Sequence, residues 1–319
     1  MYKGGARMKK KGIALVERQY LFPFVLITSL FFLWGFAHAI LDVLNKHFQE
    51  LLTITRTHSA MIQATMYMGY FIMAIPAGLF INRHGYRKGV VLGLLLYGIG
   101  SLLFIPGQYI ASFNMFLFSL FVIGCGLTFL ETAANPYVTE LGARETAASR
   151  LNFAQSFNGL GCIFAPILTG LLLFSDEDKG ASGNVALPYA VMGVIVLLAA
   201  LAFMRVRLPE IPHEEEVDSE GHRVGLWAHK LFVFGLVALF AYEVSEISIN
   251  SFFINYVTEV GWMNARDASL VLSFGGLGLF MIGRFVGSWI MRRVRAEKML
   301  FWCATGTVIT TLLVILDLG

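Results

Sequence analysis

The sequence predicts an all-α polytopic membrane protein, and three observations carry that prediction. Hydrophobic side chains make up 57% of the 319 residues and charged ones only 14%, where a soluble domain carries about 25% charged residues. The apolar residues are gathered into segments as long as a helix needs to cross a hydrocarbon core of ~30 Å, ~20 residues. Lys and Arg fall between those segments, and mainly in alternate connections. Mean hydropathy is +0.69.

Taken in order, residues 1–20 form a basic tail with Lys3, Arg7, Lys9, Lys10, Lys11 and Arg18. The apolar run that begins at Leu21 is longer than the ~7–15 residues of a signal-peptide core, so it reads as an uncleaved first span near 21–44. Further spans are expected near 59–82, 89–106, 113–139, 151–174 and 187–205, completing a six-helix bundle over 21–207. Residues 208–230, which include LPEIPHEEEVDSEGHR, are too charged for a membrane and read as a cytoplasmic linker. Spans near 231–258, 267–291 and 299–316 then form a partial second bundle over 231–319, about nine helices in all. With the N-terminus inside, nineteen of the 24 basic residues fall on the inner side; the outer side has only Lys46, Arg56, Lys179 and Arg266, and Arg284 lies within a span. That bias fixes an N-in orientation across a cytoplasmic membrane. Cys125, Cys162 and Cys303 stand singly in apolar runs and read as packing residues.

Ionisable groups inside spans cost ~2.5–3.5 kcal/mol on insertion scales and usually face a cavity. Four acids qualify: Asp42, Glu131, Glu243 and Glu246. In the fourth span, Thr128, Glu131, Thr132, Asn135 and Thr139 recur at helical spacing and form one polar stripe, with Pro136 inside it. Pro136 has no N–H to offer the carbonyl of Thr132, so a local bend is expected beside Glu131. Glu131 reads as a proton-binding carboxylate on a cavity, or as a structural carboxyl bonded to a neighbouring helix. Asp42 lies near the outer end of the first span, at a different depth, as a second proton site or an interfacial charge near Lys46. Gln155 and Asn158 in the fifth span offer the amide donors and acceptors that sugar hydroxyls need, or bond between helices. Trp34 could stack on a pyranose or fill the core; His38 is an alternative proton site or a bonded structural histidine. Gln63, Tyr67 and Tyr70 share one face of the second span, where packing is the favoured reading. In the seventh span Glu246, with Tyr242 and Asn250 on neighbouring turns, is the cavity candidate.

The segments AGLFINRHGYRKG (77–89) and VGSWIMRRVRAEK (286–298) align Gly78 with Gly287 and Arg83 with Arg292, which points to a six-helix unit repeated in the same orientation. The stretch from Gly78 to Lys88, with Arg83, Gly85 and Arg87, resembles the gating loop of the major facilitator superfamily, with Asn82 where an Asp is usual. FFLWGFAHAILD (31–42), LETAANPYVTELG (130–142), RLNFAQSFNGLG (150–161), YEVSEISINSFFINY (242–256) and IGRFVGSWI (282–290) resemble the fucose, galactose and glucose proton symporters within it. That resemblance implies a twelve-span fold in two halves, and hence a chain shortened on its C-terminal side. It also implies Asp42 and Glu131 as the proton-coupling pair, and the amides of the fifth span as sugar contacts.

The expected function is therefore proton-coupled import of a monosaccharide by alternating access. A proton-driven exporter of another small solute and a non-transporting sugar sensor are the alternatives. The expected partners are the sugar, protons and the lipid bilayer, with a monomeric chain and no nucleic acid. No metal-ligand cluster, nucleophile constellation or phosphate loop is present in the sequence, so neither an enzyme nor a cofactor other than the coupling proton is expected.

Overall fold

The computed structural model describes residues 14–51, 56–110, 112–173, 186–206, 225–264, 267–268 and 271–316. Its helices are α1 (Leu21–Leu51), α2 (Arg56–His84), α3 (Tyr86–Leu102), α4 (Phe104–Ile110), α5 (Phe113–Glu140), α6 (Ala147–Leu173), α7 (Ala186–Arg205), α8 (Lys230–Glu259), α9 (Gly278–Met291) and α10 (Ala296–Ile315). A π-helical turn, Val271–Leu277, precedes α9. Each of the nine predicted segments is helical, and seven spans among the described residues are long and apolar enough to cross a membrane. Several predicted boundaries move: α1 runs on to Leu51, α6 begins at Ala147, and the third segment starts earlier, at Tyr86, and divides at Leu103 into α3 and the short α4. The expected linker falls outside the described residues except for its last part.

Lipid gives no hydrophobic drive for one helix to pack on another, so close backbone approach and interhelical hydrogen bonds must hold the bundle. The chain follows that rule. The most extensive contacts are α1 with α6, α3 and α2 with α5, and α3 with α7. At the α1–α6 seam, a Cβ on Gly35 would stand 2.1 Å from the carbonyl oxygen of Asn158, and one on Gly161 would stand 2.2 Å from that of Phe32. At the α2–α5 seam, a Cβ on Gly124 would stand 2.4 Å from the oxygen of Met66. Any side chain at these positions would force the helices apart. Cys125 and Cys162 sit at the same two seams, facing the carbonyls of Gly69 and Gly35, whereas Cys303, also expected to pack, is exposed.

Prolines are placed where the helix can absorb them. Pro23 and Pro188 lie in first turns, where no intrahelical N–H bond is lost. Pro76 and Pro136 lie inside α2 and α5, and α5 continues through Pro136 to Glu140. Between α2 and α3 the chain turns at Gly85, whose φ of +84° lies in the region other residues avoid.

By compactness the chain divides into one unit of residues 1–211 with 283–319 and a second of residues 212–282. The first holds α1 to α7, most of α9 and α10; the second holds α8 and the π turn.

Candidate functional site

Four helices of the first unit bring the predicted polar residues inward. On α1, Trp34 and His38 are one turn apart; on α2, Tyr67 and Tyr70 are less than a turn apart, so each pair shares a helix face. Tyr70 joins the two helices. Its hydroxyl accepts a hydrogen bond from Trp34 Nε1 at 2.9 Å and lies 3.1 Å from His38 Nε2. The rings form one cluster: His38 stacks on Tyr67 with centroids 6.3 Å apart and lies 5.7 Å from the Tyr70 ring. Tyr67 remains 57% exposed, so this cluster has an open edge.

Glu131 approaches the cluster from α5. It lines a packing gap too narrow for a water molecule together with Trp34, Phe31 and Ala134, and it is near enough to Tyr70 to interact with it electrostatically. One turn further, Asn135 Oδ1 accepts a hydrogen bond from Gln155 Nε2 of α6 at 3.1 Å. The polar stripe of α5 thus has two ends. Thr128 is buried and returns its hydroxyl to the carbonyl of Gly124, while Glu131, Thr132 and Asn135 are half-buried and available to the interior. Asn158 is half-buried on α6 and also supplies the backbone carbonyl over Gly35.

The side chains of Asp42 and Asn250 lie outside the described residues. Tyr242, 55% exposed, and half-buried Glu246 are on α8 in the second unit. In the predicted gating loop, Arg83 is exposed and Gly78 would meet no atom within 4 Å if it carried a Cβ. Arg87 has a defined job. Its Nε donates to the carbonyl of Phe203 at 3.2 Å and its Nη2 donates to that of Met204, so the guanidinium closes the C-terminus of α7. The cation meets the negative end of the helix dipole there.

Three features were missed in the sequence reading. Tyr70 was read as packing, yet it is the hub of the aromatic cluster. Arg150 was counted only as a basic loop residue, yet it is 0% exposed. Its Nε donates to Val138 O, its Nη2 to Thr139 O, and its Nη1 to Ala143 O, Leu15 O and Thr146 Oγ1. It therefore caps α5 from α6 and ties in the segment before α1. An Arg that follows a short connection after a long helix is the signal that could have found it. Lastly, Ser149 of α6 and Ser288 of α9 bond reciprocally: each hydroxyl donates to the other's carbonyl, at 2.5 and 2.8 Å, with the two hydroxyls 3.1 Å apart. Phe285 packs beside this pair on Phe153 and Phe157.

The family model of the Major Facilitator Superfamily matches residues 24–316. The chain belongs to that superfamily. Among curated members, it is 34% identical over 309 residues to a glucose/galactose transporter of Brucella abortus, covering 95% of this chain and 75% of that one. It is also 34% identical to the L-fucose-proton symporter of Escherichia coli, covering 89% and 70% respectively. A solved major facilitator transporter, FucP in the outward conformation, superposes with a TM-score of 0.76 at 34% identity, covering 89% of this chain and 74% of that one. This major facilitator chain is thus an integral membrane protein of a transporter family, built over about three quarters of the length of those relatives.

Proposed function

We propose that this chain imports a monosaccharide of the fucose, glucose or galactose class together with protons, across a bacterial cytoplasmic membrane with its N-terminus inside. The observation that carries the proposal is the meeting of Glu131 with Trp34 and Tyr70 beside a small gap. One carboxyl able to exchange a proton lies against an aromatic cluster and one turn from an amide pair. Glu131 is the coupling acid, with Asp42 as its outer partner. Asn135, Gln155 and Asn158 bond sugar hydroxyls, and Trp34 with His38 forms the aromatic wall. Tyr242, Glu246 and Asn250 of α8 complete the sugar contacts. The Gly78, Arg83, Gly85 and Arg87 loop controls the inner side. Alternating access moves the two bundles around this site. The protein works as a monomer and needs no cofactor beyond the coupling proton.

The test is sugar uptake by proteoliposomes with and without an inward proton gradient. The expected result is accumulation only with the gradient, and its loss in Glu131→Gln while sugar exchange at equal concentrations persists. Accumulation independent of the gradient would overturn proton coupling. Undiminished accumulation by Glu131→Gln would move the coupling site elsewhere.

A further inference from the structure

A cavity of about 670 Å³ is walled by Leu21, Val25 and Phe32 of α1 and by Phe153 and Phe157 of α6. Its α1 wall runs from Leu21 to Phe32, ~16 Å at the helical rise, which is about half of a ~30 Å hydrocarbon core. The cavity is therefore one leaflet deep. It is not apolar throughout: Arg292, just after α9, lines it together with Leu15 and Val16 from the segment before α1. In the wall, Thr28 is 4% exposed and its hydroxyl has no hydrogen-bond partner. Two other buried helical hydroxyls return to a carbonyl of the preceding turn, Ser101 to Tyr97 and Thr128 to Gly124. Thr28 does not, and a buried donor left this way is costly unless something reaches it.

We propose that this groove binds one anionic phospholipid of the cytoplasmic leaflet. An acyl chain lies along α1 and α6, the phosphate meets Arg292, and an ester carbonyl accepts from Thr28 once its side chain turns into the groove. Basic pockets between membrane helices on the cytoplasmic side suit acidic headgroups. The assignment of the leaflet rests on the N-in orientation proposed above; the site itself does not rest on sugar transport. Because Phe153 and Phe157 also hold Phe285, the lipid would brace α9 against α6.

The experiment is native mass spectrometry of the purified 319-residue chain after delipidation, titrated with phosphatidylglycerol or with phosphatidylcholine of the same acyl chains. The expected result is a 1:1 phosphatidylglycerol adduct favoured about fivefold over phosphatidylcholine, the preference one basic residue gives near an acidic headgroup. Arg292→Gln should lose that preference, and Arg292→Lys should keep it if the glutamine variant fails to fold. Arg293→Gln should keep it too, since Arg293 stacks on Trp289 at 4.7 Å and does not line the groove. Val25→Trp, which fills the groove, should weaken both lipids. Equal retention of the two lipids by the unaltered chain, or retention unchanged in Arg292→Gln or Val25→Trp, would overturn the proposal. The readout involves no sugar, so failure here leaves the transport reading standing, and failure of uptake leaves this one.

Discussion

Arg150 and Glu131 are two ways of taking a charge out of water within one bundle. Arg150 is wholly enclosed, and five acceptors surround its five N–H groups, three of them carbonyls at the end of α5 or in the turn beyond it. Glu131 is half-buried against Phe31, Trp34 and Ala134, with the aromatic cluster of α1 and α2 nearby. The guanidinium cannot lose its proton in practice, and its bonds to backbone carbonyls hold α5, α6 and the preceding segment together. Glu131, half-buried and close to Tyr70, is the charge proposed above to take up and release a proton. Arg150 thus binds helix ends together through backbone carbonyls, whereas Glu131 sits among the side chains of Phe31, Trp34 and Ala134.

The comparison can be broken most directly at Arg150. Arg150→Leu strips partners from the carbonyls of Val138, Thr139 and Ala143, and should cost about 3–5 kcal/mol. A large fall in thermal midpoint in detergent, with faster hydrogen exchange over residues 138–146, is the expected readout; a loss below ~1 kcal/mol would show that the five bonds are not structural. Tyr70→Phe comes next. It leaves Trp34 Nε1 and His38 without their shared oxygen and should cost ~1–2 kcal/mol, read as the same midpoint shift with altered tryptophan fluorescence. Arg87→Gln removes a cation from the C-terminus of α7 and should cost ~1 kcal/mol, measurable by exchange at the end of α7. Glu131→Gln should be the mildest for stability, at about 1 kcal/mol or less. A midpoint as low as that of Arg150→Leu would place Glu131 among the structural charges.

Much of this architecture was legible beforehand, for a physical reason. Span length and hydropathy are set by the bilayer, so the nine segments could be located from composition alone, and the periodic polar stripe placed Glu131 and Asn135 on one face. Trp34 and His38 were singled out because polar groups are rare in such helices. Tyr70 and the Ser149–Ser288 pair were not recognised, since their partners lie 32 and 139 residues away, and Arg150 was not, since it bonds across a turn; periodicity along one helix registers neither. The division at Leu103 was also missed, because an apolar stretch reads alike whether its helix is continuous or broken. The repeat-related loops make the same point. Gly78 faces open space, while Gly287, its counterpart, would press a Cβ to 2.9 Å from Asn152 Nδ2. Arg87 caps α7, whereas Ala296 occupies the corresponding position and nearby Arg295 pairs with Glu297 at 3.2 Å on an exposed surface. Equivalent sequence positions acquire their roles from what packs on them.

The reciprocal serines give the seam between α6 and α9 a particular character. Both serine bonds are neutral, and each group released on separation can be taken up at once by water, which offers both a donor and an acceptor. Such a junction resembles a hook-and-loop fastening more than a weld: it fixes register while closed, yet leaves no stranded charge when it parts. For a carrier that must open and reclose with every turnover, a seam of that kind keeps the two positions close in energy, so the gradient rather than the lock decides the direction of travel.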